Sequence, residues 1–127
     1  MEIPVRSSGR EELIDITEQV RRAVDIESGL CVVYCPHTTA GLTINEGADP
    51  SVRLDVLDAL KRLVPDGAGY RHREGNSPAH VKASLMGSSL VILVEGGRLR
   101  LGTWQSIFFC EFDGPRDRRV FVKTVEG

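Results

Sequence analysis

Segments in which apolar and polar residues alternate predict β-strands along much of the chain, and apolar residues spaced by three or four positions predict helices between them. The strand-like segments are residues 2–6, 12–16, 30–35, 41–46, 89–94, 98–101, 104–111 and 119–125. The helix-like segments are residues 17 to about 28, 50–64 and 79–86. This order predicts an α+β fold in one compact domain (1–127), with about three helices packed on antiparallel, sandwich-like β-sheets.

Capping residues and turns set the predicted boundaries. Thr17, Asp49 and Ser77 are expected to cap the three helices, and proline follows the last two caps directly. The Gly96-Gly97 pair predicts a hairpin turn. Residues 89–94 are apolar on both faces, so we expect a central strand covered on both sides.

Composition excludes several classes of protein. The formal net charge is −2, which argues against a general nucleic-acid binder. No apolar run is long enough to cross a membrane, and the first residues do not have the pattern of a signal peptide. The three cysteines form no obvious disulfide framework. We therefore expect a cytoplasmic protein that binds neither nucleic acid nor membrane.

The stretch HTTAGLTINEGADP (37–50) concentrates hydrogen-bonding side chains next to an apolar strand. His37 follows that strand and is a candidate metal ligand or acid–base group, although a half-buried histidine bonded to the backbone is the simpler alternative. Glu46 is a candidate general base, ligand or orienting acceptor. Further candidates for contact with a substrate are Thr38, Thr39 and Asn45.

The other two histidines belong to the stretch HREGNSPAH (72–80), in a loop and the first turn of a helix. We expect His72 and His80 to converge with His37 in one pocket, where three imidazoles could bind a divalent metal, zinc or magnesium. The amino terminus of the helix is an alternative seat for phosphate. Asn76 could bind substrate or stabilise the loop.

Several other polar and aromatic residues have two interpretations. Cys35 lies too far from His37 along an extended strand to form a nucleophile–base pair, so we expect a buried apolar role. One arginine among Arg116, Arg118 and Arg119 could contact phosphate, with Arg116 as the substrate-binding candidate, although solvated charge is more common. Trp104 is expected in the core or at a subunit contact, and Glu111 and Asp113 at strand-end surfaces.

Three long blocks of the chain resemble the YjbQ-like family, also called secondary thiamin-phosphate synthases. The matching blocks are CPHTTAGLTINEGADP (35–50), HREGNSPAHVKASLMGSS (72–89) and GRLRLGTWQSIFFCEFDGPRDRRV (97–120). The resemblance implies a compact α+β fold, assembled as a homotrimer with the polar pocket near subunit boundaries. It also implies a weak activity that joins a pyrimidine pyrophosphate to a thiazole phosphate.

Within these blocks, the resemblance carries His37, Glu46, His72, Asn76 and His80 over as site candidates. The expected function is therefore that of a thiamin-phosphate synthase-like transferase acting on phosphorylated small molecules, with His37, Glu46 and His80 as catalytic residues. Two alternatives use the same polar residues. One is a binding module that holds a metal or phosphorylated metabolite without turnover, and the other is a metal-dependent hydrolase.

Overall fold

The computed structural model describes all 127 residues and has the expected α+β architecture, with three helices and eight strands in two antiparallel sheets. In chain order the elements are β1 (Glu2–Arg6), β2 (Glu12–Asp15), α1 (Thr17–Arg22), β3 (Gly29–Tyr34), β4 (Ala40–Glu46), α2 (Pro50–Leu63), α3 (Ser77–Met86), β5 (Ser89–Glu95), β6 (Arg98–Leu99), β7 (Gln105–Glu111) and β8 (Asp117–Glu126). None of these helices combines the length and apolarity needed to span a bilayer.

The five-stranded sheet has the order β1-β8-β3-β5-β6, and the three-stranded sheet has the order β2-β7-β4. Six connections pass from one sheet to the other, and three of them contain no helix or strand and meet at one place: β1–β2, β3–β4 and β7–β8. These connections lie against one another, since the amide of Gly114 donates to the carbonyl of Arg10 and the amide of Phe112 donates to that of Thr39. A Cβ at Gly114 would lie only 2.3 Å from the carbonyl oxygen of Gly9, so the crossing requires glycine there.

Two apolar clusters stabilise the fold. The larger one fills the space between the sheets, and α1 adds the fully buried Val20 to it. The smaller cluster joins the outer face of the three-stranded sheet to α2 and α3. Its buried members are Leu13, Leu60, Ala79, Ala83, Phe108, Cys110 and Phe112. Both helices therefore cover the same sheet.

The helix boundaries differ from prediction where side chains find tertiary partners. Asp49 caps α2 as expected, because its carboxylate accepts from the amide of Ser51. Thr17 does not cap α1: its hydroxyl donates to Asp15 and accepts from the amide of Ile107, in the neighbouring sheet. The helix ends at Arg22 rather than near residue 28. Asn76, not Ser77, occupies the cap position of α3, and its side chain makes no capping bond.

The outer face of the five-stranded sheet is bare within one chain. The prediction that residues 89–94 form a strand covered on both sides is wrong, because Val91 and Leu93 are 60% and 55% exposed. Leu30, Tyr34 and Phe121 are further exposed apolar residues on neighbouring strands of this sheet. Trp104 is also outside the core, at 64% exposure. The sequence pattern correctly marks these positions as apolar, but no element of the chain covers them.

Candidate functional site

His37 and His80 line one cleft of about 390 Å³, although 43 positions separate them in the chain. The β3–β4 connection contributes His37 and Thr38, and α3 contributes His80 and Ser84. Ser88, at the end of the short link to β5, completes the polar lining. The cleft therefore combines two imidazoles with three hydroxyl groups from separate parts of the fold. Of the three histidines expected to converge, His37 and His80 line this cleft and His72 does not.

A glycine allows the close packing that brings these residues together. α3 packs on β4, and a Cβ at Gly41 would lie 2.8 Å from the carbonyl oxygen of Gly87 and 3.2 Å from Cβ of Met86. The carbonyl of Gly87 also accepts from the amide of Leu42, at 3.0 Å. The end of α3 is thus bonded directly to β4, and any side chain at position 41 would push the helix away.

The imidazole of His37 is held by the backbone of β8. β3 pairs with β8 only as far as the Tyr34–Phe121 pair. Pro36, two residues after Tyr34, has no amide hydrogen with which to continue the ladder. His37 Nε2 occupies this gap, 3.0 Å from the amide nitrogen of Arg119 and 3.1 Å from its carbonyl oxygen. In either neutral tautomer Nε2 is bound to this backbone, so Nδ1 is the ring nitrogen left for a ligand.

Packing and charge favour the neutral form of this imidazole. The ring meets the buried ring of Phe109 edge-on, with centroids 6.3 Å apart. Burial lowers the pKa of His37, the positive charge of Arg118 lowers it further, and the backbone of Arg119 opposes the change only in part. His37 is therefore neutral at pH 7 and suited to proton transfer or to a single directed hydrogen bond.

His72 lies next to His80. The two imidazole rings are 5.2 Å apart between centroids and nearly perpendicular, at 84°. His72 also lies 3.8 Å from a carboxylate oxygen of Glu74, and both side chains are largely exposed. However, no three histidine, cysteine, aspartate or glutamate side chains of the chain are arranged to hold a metal ion. The residues of one chain therefore do not fit the expected zinc or magnesium site, and that site stays a prediction.

The amino terminus of α3 is a poor seat for phosphate. The amides of Ala79 and His80 both bond to the carbonyl of Asn76, and Pro78 has no amide hydrogen. The cleft runs instead from His80 toward Gly87 at the opposite end of the helix, where the dipole is negative. Any positive charge for an anionic ligand must come from side chains.

Glu46 and Asn45 lie at the far end of β4. That strand begins at Ala40 beside the histidines, and at ~3.3 Å per residue its other end is roughly 20 Å away. Their side chains are used locally: Glu46 accepts from the amide of Asp49, and Asn45 accepts from the amide of Glu46. One chain therefore does not bring the two halves of the 37–50 stretch into the same cleft.

The remaining sequence candidates make structural bonds. Asn76 donates to Asp113, and Arg116 donates to both the carboxylate and the carbonyl of Asp113. Thr39 is buried, and its hydroxyl accepts from Arg118. Thr38, in contrast, is exposed and lines the cleft. The roles of these residues in substrate binding stay predictions.

Sequence reasoning missed the buried charge next to this site. Glu111 was expected at the surface, but it is fully buried and pairs with Arg118 on β8, the next strand along the chain, which belongs to the other sheet. It also missed Ser84, although its spacing of four from His80 places the two on one helix face. The expectation for Cys35 is confirmed: it is buried, and burial raises the pKa of its thiol and disfavours the nucleophilic thiolate.

Fold and cleft together define an α+β domain of two antiparallel sheets with a histidine-lined cleft at the junction of β3, β4 and α3. The family model described as "UPF0047 protein YjbQ-like" matches residues 1–127. A UPF0047 protein of Archaeoglobus fulgidus is 51% identical over 98% of this chain and 100% of its own length. The UPF0047 protein YugU of Bacillus subtilis is 49% identical over 97% and 96% of the two chains.

Solved structures agree with this relationship. A crystal structure of a YjbQ/UPF0047 family protein from Clostridium acetobutylicum has a TM-score of 0.96 and 55% identity, and it covers 98% of this chain and 99% of its own. A conserved hypothetical protein from Thermus thermophilus has a TM-score of 0.93 and 46% identity, with coverage of 98% and 99%. The chain belongs to the YjbQ-like UPF0047 family.

Proposed function

We propose that this chain is an enzyme that acts on a phosphorylated small molecule in the cleft between His37 and His80. The observation that carries the proposal is the convergence of two imidazoles and three hydroxyls from three parts of the fold on one concave surface. Imidazole and hydroxyl groups can donate hydrogen bonds to phosphate oxygens and can move protons near pH 7. A cleft of this composition favours a ligand rich in hydrogen-bonding groups over an apolar one.

The reaction we propose is the joining of a pyrimidine pyrophosphate to a thiazole phosphate. A bond from the thiazole forms while the bond to pyrophosphate breaks, and pyrophosphate leaves with the electron pair. Negative charge therefore grows on the leaving group, and hydrogen-bond donors aimed at its oxygens stabilise the transition state. Thr38 and Ser88 would supply such donors together with His80, whereas the Ser84 hydroxyl donates to the carbonyl of His80. His37, neutral and fixed at Nε2, would present Nδ1.

We propose further that the chain works as a homotrimer assembled through the bare face of the five-stranded sheet. Strand register makes this face continuous, since Leu30 lies between Leu93 and Val125, and Tyr34 lies beside Phe121. Large exposed apolar surfaces commonly mark subunit contacts. The three buried, unpaired thiols fit the cytoplasmic compartment we propose for the enzyme.

Assembly would also affect the active site. His37 also lines a second cleft of about 600 Å³, together with Glu2, Asp117, Arg118 and Arg119. This cleft adjoins the bare face where Tyr34 and Phe121 are exposed. A subunit seated on that face would close over His37 and limit its access to water. This supports a pocket near a subunit boundary.

The proposal is tested by assaying the purified protein with the two thiamin precursors and repeating the assay with His37→Ala and His80→Ala. General acid–base groups contribute about 10²- to 10⁴-fold to rate, so we expect at least a hundredfold loss of product formation in both variants. Arg62→Ala, on the exposed surface of α2, is the matched control and should keep the wild-type rate.

Equal trace activity in the wild type and both histidine variants would refute the proposed catalytic cleft. Pyrophosphate binding that depends on His37 and His80 without any product would instead support a binding module. Elemental analysis of the same preparations tests the metal prediction, because a stoichiometric zinc or magnesium content would require ligands beyond those that one chain brings together.

A further inference from the structure

A buried ion pair between Glu111 and Arg118 lies where the two sheets join, beside the His37 connection. Arg118 Nε donates to one carboxylate oxygen of Glu111 at 2.8 Å, and Nη2 donates to the other at 2.5 Å. The side chains are 0% and 6% exposed. Hydrogen bonds from Arg118, Ser7 and the amide of Asp113 outweigh the effect of burial and lower the pKa of Glu111, so the pair is ionised at pH 7.

The pair bonds to three of the six connections that pass between the sheets, the β1–β2, β3–β4 and β7–β8 connections. Ser7, in the β1–β2 connection, donates to Glu111 at 2.6 Å. The hydroxyl of Thr39, in the β3–β4 connection, accepts from Arg118 Nη2 at 2.8 Å. In the β7–β8 connection the amide of Asp113 donates to Glu111 at 3.0 Å. No other pair of charges in the fold bonds to so many of these crossings.

Arg118 is connected to the backbone around His37 in two ways. Thr39 is two residues from His37, so its bond to Arg118 fixes the connection that carries the imidazole. Arg118 immediately precedes Arg119, whose backbone holds His37 Nε2. The guanidinium therefore anchors the peptide segments on both sides of the ring.

Stability alone is a weak reason for such a pair. Removing two charges from water is costly, and a buried ion pair often stabilises a protein no more than apolar residues of the same size would. Its forked geometry instead fixes relative orientation, because a bidentate arginine–carboxylate contact allows few alternatives. The neighbouring connections are also free of regular secondary structure, so side-chain bonds must define their shape.

We propose that Glu111 and Arg118 are positioning residues that set the orientation of the His37 imidazole through Thr39 and the backbone of Arg119. Neither residue lines the cleft between His37 and His80, although Arg118 lines the second cleft beside His37. Their importance for catalysis rests on the proposed function, whereas their effect on the geometry of His37 does not. We call the Glu111–Arg118 pair the clasp. It lies at the junction of the sheets and orients the imidazole of His37.

Thr39→Val tests the clasp because valine keeps the shape of threonine and removes only the acceptor for Arg118. The matched control is Thr17→Val, which removes a second buried threonine hydroxyl with tertiary bonds, near α1 and away from His37. The readout is the ¹H–¹³C spectrum of the His37 ring in the absence of ligand, assigned with His37→Ala. A direct contact between Thr39 and a ligand cannot influence this spectrum.

We expect Thr39→Val to shift the ring resonances of His37, Thr39→Ser to restore them, and Thr17→Val to leave them unchanged. In the same proteins the affinity for inorganic pyrophosphate should fall about tenfold in Thr39→Val only, as for other residues that orient a functional histidine. Ser7→Ala, which removes a donor to Glu111 from the opposite side, should shift the same resonances if Thr39→Val does not fold.

Unchanged His37 resonances in both Thr39→Val and Ser7→Ala would overturn the proposal, as would equal shifts in the Thr17→Val control. Failure of wild-type protein to bind pyrophosphate would count against the proposed function alone. The ring spectra would still decide whether the clasp orients His37, so the two failures are distinguishable.

Discussion

The outer faces of the two sheets differ in what covers them. The three-stranded sheet packs against α2 and α3, which bury Phe108 and Phe112. The five-stranded sheet has no helix on its outer face and exposes Val91 and Leu93. A chain of 127 residues has few elements with which to cover two sheets, and here both long helices cover the same one. The other face has a strand pattern suited to burial but no partner within the chain.

The largest effect is expected when charged residues are introduced on the bare face of the five-stranded sheet. If the face assembles three chains, the double variant Val91→Asp/Leu93→Asp should reduce the mass in solution to that of one chain, because buried unpaired carboxylates are strongly destabilising. Light scattering with size-exclusion chromatography measures this mass. Leu54→Asp is the matched control, since Leu54 is a 63% exposed apolar residue on α2. A wild-type protein that is already monomeric would refute the assembly.

A substitution on the covered face should instead destabilise the chain itself. Phe108→Ala removes a fully buried ring and should lower the free energy of unfolding by about 3–5 kcal/mol, measured by urea denaturation. Phe121→Ala, on the bare face, is the comparison and should cost less than ~1 kcal/mol in the dissociated double variant. Equal losses would show that the two faces do not differ as the structure indicates.

A smaller loss is expected where α3 meets β4. Gly41→Ala places a methyl group against Gly87 and Met86, so the helix must shift, at a cost of about 1–3 kcal/mol. The shift also moves His80 relative to His37, and pyrophosphate affinity should fall with stability. Gly9→Ala is the control, because a Cβ there has no atom nearer than 4.0 Å. Full affinity in Gly41→Ala would mean that the cleft does not depend on this close approach.

Much of the fold could be predicted from local patterns in the sequence. Alternation located the strands, Asp49-Pro50 marked the start of α2, and Gly87 marked the end of α3. The meeting of His37 and His80 followed from two polar stretches that a core-crossing segment would not carry. The strands and helix ends depend on nearby residues or on simple periodicity, so one sequence contains enough information to predict them.

The errors arose where residues distant in the chain decide the outcome. Glu111 ends a strand, where a carboxylate is normally solvated, but Arg118 folds back from β8 and buries it. Thr17 loses its capping role to an amide of β7. The exposure of Val91 depends on which sheet the helices cover, and periodicity does not contain that choice. Glu46 is different, since the length of an extended strand alone separates it from His37.

The smallest effects are expected from pH, and they concern the junction between the sheets rather than either outer face. Burial and the charge of Arg118 lower the pKa of His37 below its ordinary value of 6.5. The unfolded chain then binds a proton more readily than the folded chain, so stability is fully present above pH 6.5 and falls as pH decreases through the folded pKa. In His37→Gln this loss should be absent.

Glu111 should add a second loss at lower pH. Its hydrogen bonds lower its pKa below the ordinary value of 4.5, so its contribution is present above pH 4.5 and disappears as pH falls through the folded pKa. Urea denaturation from pH 8 to 3 measures both steps. Glu111→Gln should flatten the lower step and, because the charge of Glu111 raises the pKa of His37, should also move the upper step to lower pH. The apolar cluster beneath α2 and α3 contains no carboxylate or imidazole, so Phe108→Ala should shift the whole curve without changing its shape. A change of shape in Phe108→Ala would mean that the helix-covered face and the charged junction do not act independently.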